Sequence, residues 1–181
     1  MLALLVFTKA ANFGSVQHVV LEQFGFILVF VAVLGRIWCT LYIAGRKNKQ
    51  LCTVGPYEIC RNPLYLFSFV GLFGIVVAAG SILLAILSAA AYLVYYHGVI
   101  RGEEQRLAAI FGADFARYVA ATPRFWPKWK ISGNATVLHV DSRIFTRSLL
   151  EVIWFLFLVV FIEIVEVVKS KDLLSTIVLP F

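Results

Sequence analysis

The stretch LYLFSFVGLFGIVVAA, residues 64–79, is followed by Gly80-Ser81 and then by a second apolar run, 82–100. Neither run contains an Asp, Glu, Lys or Arg. Two uncharged runs divided by a Gly-Ser break predict two antiparallel membrane helices joined by a tight turn. Gly71 and Gly74 on the first helix, and Ala85, Ala89 and Ala90 on the second, permit close packing in lipid. A hairpin returns the chain to the face it left, and the rest of the reading follows from that.

The second helix continues past the apolar run. Residues 101–110 are helix-permissive, and Phe111-Gly112 reads as a C-terminal stop. A helix over 82–111 would be about 45 Å long at 1.5 Å per residue, more than the ~30 Å hydrocarbon core. The cluster Arg101-Gly-Glu-Glu104 therefore emerges on the side where the segment before the hairpin lies. That segment, GPYEICRNPLY (55–65), is a compact polar-aromatic turn. Pro63 disfavours helical geometry at Asn62 and suits the first turn of the next helix, so that helix is expected to start at Pro63 or Leu64.

Of the 181 residues, 61% are hydrophobic and 14% charged. Soluble domains average roughly 45–50% apolar and about 25% charged, so the composition belongs in a bilayer. The net charge of +6 does not point to nucleic acid: four Lys or Arg lie in 46–61 and six in 101–130. Basic clusters between apolar spans are the positive-inside signature, with anionic headgroups as their partner. Cys39, Cys52 and Cys60 form no C-x-x-C and have no His at metal-ligand spacing, so free thiols and no metal are expected. Residues 1–7 lack the charged start of a cleavable leader.

Further spans are expected over 24–44 and 148–168. The first carries Arg36 at a depth where a charge costs at least ~2.5 kcal/mol, so it should face protein or water, or pair with Glu151 or Glu163. Glu163 and Glu166 share a helix face and can sit at the far interface beside Lys169 and Lys171. Aromatic and basic residues in 113–130 mark a headgroup interface. Residues 131–145 read as a polar loop. Asn134 begins a formal glycosylation sequon, discounted because it falls on the basic side. His18 and His139 read as surface residues, Glu22 as an interfacial charge, and 173–181 as a surface segment.

The pattern G-x-Y-x-x-x-R-N-P-x-Y, then a membrane hairpin, then E-E-x-x-L-x-x-x-F-G-x-x-F-x-x-Y-x-x-x-x-P resembles the isoprenylcysteine carboxyl methyltransferase and phospholipid methyltransferase superfamily. The matching positions are Gly55, Tyr57, Arg61, Asn62, Pro63 and Tyr65, then Glu103, Glu104, Leu107, Phe111, Gly112, Phe115, Tyr118 and Pro123. The resemblance covers 41–129. It implies an all-α polytopic bundle of about four spans, one domain over 1–181 with an added C-terminal helix, and a cofactor cap on the cytoplasmic face. It implies S-adenosyl-L-methionine as methyl donor and a lipid or lipidated acceptor. Carried over, the cofactor set is Lys49, Gln50, Leu51, Cys52, Tyr57, Arg61, Asn62, Pro63, Leu64, Tyr65, Glu103 and Glu104, with Arg101, Glu103 and Glu104 as catalytic residues.

These residue types suit that donor. A carboxylate can take its ammonium, and Arg61 or Arg101 its carboxylate. Tyrosine faces can hold the adenine or the sulfonium. The chain departs from the family at two places. Asn62 stands where the family has His, and it cannot titrate. The family's Arg one turn before the glutamate is missing, with Arg101 and His97 nearest. Tyr95, Tyr96 and His97 fit either an interfacial belt or an acceptor tunnel. Arg101 and Glu104 also fit a solvated helix start with its own ion pair. A competing reading is a non-enzymatic membrane subunit or small transporter using Arg36, Glu151 and Glu163 as a polar path. A lipid reductase is a third, without the phosphate cradle it would need.

Overall fold

The computed structural model describes residues 8–10, 14–46, 49–128, 140–171 and 177–179. It is helical: α1 is Val16–Ile43, α2 the short turn Pro56–Ile59, α3 Pro63–Ala78, α4 Ile82–Ala121 and α5 Ser142–Ser170. Two three-residue strands, β1 (Thr8–Ala10) and β2 (Ile177–Leu179), pair in parallel. Helices α1, α4 and α5 are long and apolar enough to cross a membrane, and α3 is a shorter apolar helix. The protein is thus a helical membrane bundle of roughly four spans. The expectations for 1–7, for 129–139 with its sequon and His139, and for most of 173–181 lie outside the described residues.

The hairpin is where the sequence puts it. Helix α3 begins at Pro63, Gly80 takes a left-handed φ of 77° in the turn, and α4 begins at Ile82. Three boundaries move. Helix α1 starts eight residues before the apolar run expected over 24–44, because 16–23 are helix-permissive although more polar. The expected stop at Gly112 is a kink, φ 50° and ψ −119°, beyond which α4 resumes to Ala121. Helix α5 begins at Ser142 inside the expected loop. Asp141 explains that start: its carboxylate accepts from the Arg143 and Ile144 N–H groups at 3.0 and 3.2 Å, an N-cap that the polar composition concealed.

The described residues form two compact units, one from those lying within 1–33, 69–92 and 153–181, the other from those within 34–68 and 93–152. In the first, Val76, Val77 and Ala85 form a buried cluster with Leu21, Phe73 and Leu84 packed against it. Gly71 and Gly74 are points of close approach to α5 and α1. A Cβ on Gly74 would lie 2.7 Å from the Gly25 carbonyl oxygen of α1, and one on Gly71 would lie 2.4 Å from the Phe155 ring of α5. His18, expected at the surface, is 4% exposed, and its Nε2 lies 3.3 Å from Glu166 Oε2. Its position on α1 opposite α5 turns it inward.

Because backbone meets backbone at Gly25 and Gly74, Gly74→Ala forces α1 and α3 apart. Overpacking of this kind costs roughly 1–3 kcal/mol. Thermal unfolding of the purified protein in detergent should shift down for Gly74→Ala. It should hold or rise for Gly98→Ala, where an added Cβ meets nothing within 4 Å and helix propensity improves by about 1 kcal/mol.

Candidate functional site

The second unit holds the turn 55–65 by its backbone before any side chain acts. Gly55 has φ 62°, and a Cβ there would lie 2.4 Å from the Tyr42 ring, so glycine alone fits. The Arg61 N–H donates to the Pro123 carbonyl at 2.9 Å, and the Lys128 N–H to the Ile59 carbonyl at 2.9 Å. The Tyr118 hydroxyl donates to the Tyr57 carbonyl at 2.7 Å. The segment 118–128 is therefore laced along the turn.

Side chains lock the same junction. Glu104, 8% exposed, is its centre. Its Oε1 accepts from Arg61 Nε at 3.0 Å and from Asn62 Nδ2 at 3.3 Å. Its Oε2 accepts from Arg124 Nε at 2.9 Å and Nη2 at 2.6 Å. Asn62 Nδ2 donates also to the Arg124 carbonyl at 3.0 Å, and Arg61 Nη1 to that of Val119 at 3.0 Å. Glu103 sits one residue earlier, about 100° around the helix. It accepts from the Tyr65 hydroxyl at 2.9 Å, and the Tyr65 ring lies against Tyr96 with centroids 5.2 Å apart. The bonds of Arg61 and Asn62 to Glu104 and of Tyr65 to Glu103 join residues about forty apart in sequence, which is the return that the hairpin implies.

Beside this junction lies a cavity of about 520 Å³, within the ~300–1,000 Å³ usual for small-molecule sites. Lys49, Gln50, Leu51, Cys52, Tyr57, Arg61, Asn62, Pro63, Leu64, Tyr65 and Glu103 line it. Glu104 does not line it; its carboxylate is spent on Arg61, Asn62 and Arg124. Arg101 is exposed and also outside the lining, and the ion-pair partners of Glu104 are Arg61 and Arg124 rather than Arg101.

The lining also includes Arg36, Thr40, Ser68, Tyr96 and Glu151, which the motif did not name, and Tyr118, a motif position outside the expected cofactor set. Arg36 and Thr40 share one face of α1 and Ser148 and Glu151 one face of α5; this spacing was the available signal. Arg36 Nη1 donates to Ser68 Oγ, and Nη2 lies 3.7 Å from Glu151 Oε2. Of the two partners weighed for Arg36, the structure supplies Glu151.

Burial sets the protonation of the turn. It raises the Tyr57 hydroxyl well above the ordinary tyrosine range and raises Tyr118 likewise. It pushes the Cys60 thiol up to about 11, and the Cys52 thiol up as well. All four are neutral at physiological pH. The buried Tyr57 Oη has no hydrogen-bond partner among the described residues. Among those residues no set of three or more His, Cys, Asp and Glu is placed to hold a metal ion.

A membrane helical bundle with this turn and this glutamate pair belongs to the phospholipid methyltransferase family, whose model matches residues 17–114. Family membership points to a membrane methyltransferase. The chain is 40% identical over 157 residues to the nickel-cobalt-cadmium resistance protein NccN of Alcaligenes xylosoxydans xylosoxydans, covering 86% of this chain and 72% of that one. It is 36% identical over 179 residues to the cobalt-zinc-cadmium resistance protein CzcN of Cupriavidus metallidurans, covering 98% and 82%. No solved structure matches it.

The two adjacent glutamates should separate by mutation. Glu104→Gln leaves Arg61, whose side chain is 9% exposed, without its counter-charge, and breaking a buried pair costs roughly 3–5 kcal/mol. Glu103→Gln keeps an acceptor for Tyr65 and should cost less than about 1 kcal/mol. Chemical denaturation in detergent micelles measures both; equal losses would contradict the division of roles.

Proposed function

We propose that this protein transfers a methyl group from S-adenosyl-L-methionine to a lipid-borne or amphipathic acceptor, at a site on the cytoplasmic face of the membrane. The observation that carries the reading is the cavity between the 49–65 segment and α4, with Tyr57 Oη buried in its lining and without a hydrogen-bond partner among the described residues. A buried hydroxyl without a partner costs ~1–3 kcal/mol, a cost that a hydrogen-bonding ligand would relieve.

The lining fits the donor chemically. Glu103 offers a carboxylate for the ammonium, steadied by Tyr65. Lys49 offers a cation for the carboxylate, since Arg61 is already engaged by Glu104 and the Val119 carbonyl. Tyr57, Tyr65 and Tyr96 offer aromatic surface for the adenosine and sulfonium. When bound, the donor supplies an electrophilic methyl group. The protein's part is alignment and exclusion of water, which can supply several kcal/mol without a covalent intermediate. On this reading Glu103 is the site carboxylate, Glu104 positions Arg61 and Asn62, and Arg101 is solvated.

The two relatives are named for resistance to nickel, cobalt, zinc and cadmium. We take the role to be modification of a membrane component in a metal-stressed cell. The same names favour a second reading, a metal-resistance subunit or transporter that binds no methyl donor.

Calorimetric titration of S-adenosylhomocysteine into the detergent-solubilised protein decides between them. Micromolar binding is expected, and no heat of binding would sink the enzyme reading. Tyr57→Phe should weaken binding by about tenfold, the worth of one hydrogen bond. It should also leave the ligand-free protein as stable or slightly more so. Unchanged affinity would remove Tyr57 from the site.

A further inference from the structure

The cavity extends beyond the residues that suit the donor. Its other end is lined by Arg36 and Thr40 of α1, Ser68 of α3, and Ser148 and Glu151 of α5. Helix α1 ends at Ile43, α3 begins at Pro63 and α5 at Ser142. The Asp141 N–H donates to the Ala44 carbonyl at 3.5 Å, so the end of α1 and the start of α5 share one level. From that level Arg36 and Glu151 lie about 10 and 13 Å along their helices at 1.5 Å per residue. The polar stripe therefore descends into the apolar spans.

The stripe is built to present one cation. The Thr40 hydroxyl donates to the Arg36 carbonyl at 2.8 Å and the Ser68 hydroxyl to the Leu64 carbonyl at 2.8 Å. With their protons so used, Ser68 Oγ is left to accept from Arg36. The Arg36 side chain is 16% exposed, whereas that of its counter-ion Glu151 is 64% exposed. At 3.7 Å the two are a loose ion pair rather than a hydrogen-bonded one. A carboxylate so exposed is readily displaced, whereas the arginine is fixed between two helices.

From this geometry we infer that Arg36 is the acceptor-binding residue and that Glu151 is its stand-in ligand. The site takes an amphiphile with an anionic oxygen headgroup, carboxylate or phosphate, which replaces Glu151 at the guanidinium while its apolar tail stays at lipid depth. This rests on the methyltransferase reading, because it assigns the part of that cavity which the donor leaves.

Four ten-carbon probes test it by titration into the full chain in maltoside detergent: decanoate, decyl phosphate, methyl decanoate and decylamine. Decanoate or decyl phosphate, or both, should bind, and the two together distinguish a carboxylate from a phosphate headgroup. Methyl decanoate and decylamine should bind more weakly. Arg36→Gln should weaken the anionic probes by at least about tenfold, the worth of a charge-assisted bond. S-adenosylhomocysteine affinity, measured on the same sample, should stay within about twofold. Glu151→Gln should tighten the anionic probes, a gain that a merely structural ion pair would not give. If Arg36→Gln does not fold, Glu151→Gln and the probe series still decide. Tightest binding of decylamine, unaltered anion binding in Arg36→Gln, or no gain in Glu151→Gln would each overturn the assignment. Failure of S-adenosylhomocysteine to bind the intact protein would instead strike the donor site.

Discussion

A single buried carboxylate holds the site together. Glu104 lies among two arginines and an amide that come from the turn before the hairpin and from the segment beyond the Gly112 kink. Removing a carboxylate from water is costly, several kcal/mol even after relaxation, and is tolerated only where geometry and hydrogen bonding are good. Here both oxygens are occupied by donors. The value of such a cluster is specificity: a turn of eleven residues has few apolar side chains of its own to fix it, and charges that must be satisfied admit few alternative arrangements. The backbone bonds of Arg61 to Pro123 and Lys128 to Ile59 then come as consequences of the same docking.

This division of labour follows from helix geometry. Consecutive residues on α4 point about 100° apart, so Glu103 and Glu104 cannot share an environment. Glu104 turns to the junction, and Glu103 turns to the cavity, where Tyr65 holds it. One glutamate in this doublet is spent on structure so that the other can be presented at a fixed place. The same economy applies to Arg61, which lines the cavity but has its Nε and Nη1 committed elsewhere.

The hairpin was legible in the sequence because its signal is local: two uncharged runs, a Gly-Ser break, and Pro63 at a helix start. The residues of the turn were legible because polar and aromatic side chains are conspicuous in an apolar chain. What was hidden depends on contacts distant in sequence. Nothing near Glu104 says that Arg124 rather than Arg101 will meet it, since Arg101 is the nearer cation in sequence. The α5 start at Ser142 was hidden because its N-cap, Asp141, ends a polar stretch that reads as loop. Gly74 was recognised as a packing residue without its neighbour on α1, since a small residue states that something comes close without saying what. Arg36 was conspicuous by charge and depth, while its place on a cavity wall required α3 and α5 to be brought beside it.

Asn62 links the structure to the chemistry. A histidine at this position could carry a proton, whereas an amide cannot. In this chain the amide donates to Glu104 and to the Arg124 carbonyl, which makes it a clamp. Among the described lining residues the carboxylates are Glu103, which accepts from Tyr65, and Glu151, which faces Arg36. An amine acceptor must lose a proton to a base during transfer, whereas a carboxylate acceptor arrives ionised and needs none. On the proposed methyl-transfer reading, Asn62 locked as a donor supplies no base at that position, and Glu151 stands opposite an arginine. Asn62 and Arg36 thus both bear on which acceptor the proposed site would take, although they lie on different elements and were conspicuous for different reasons.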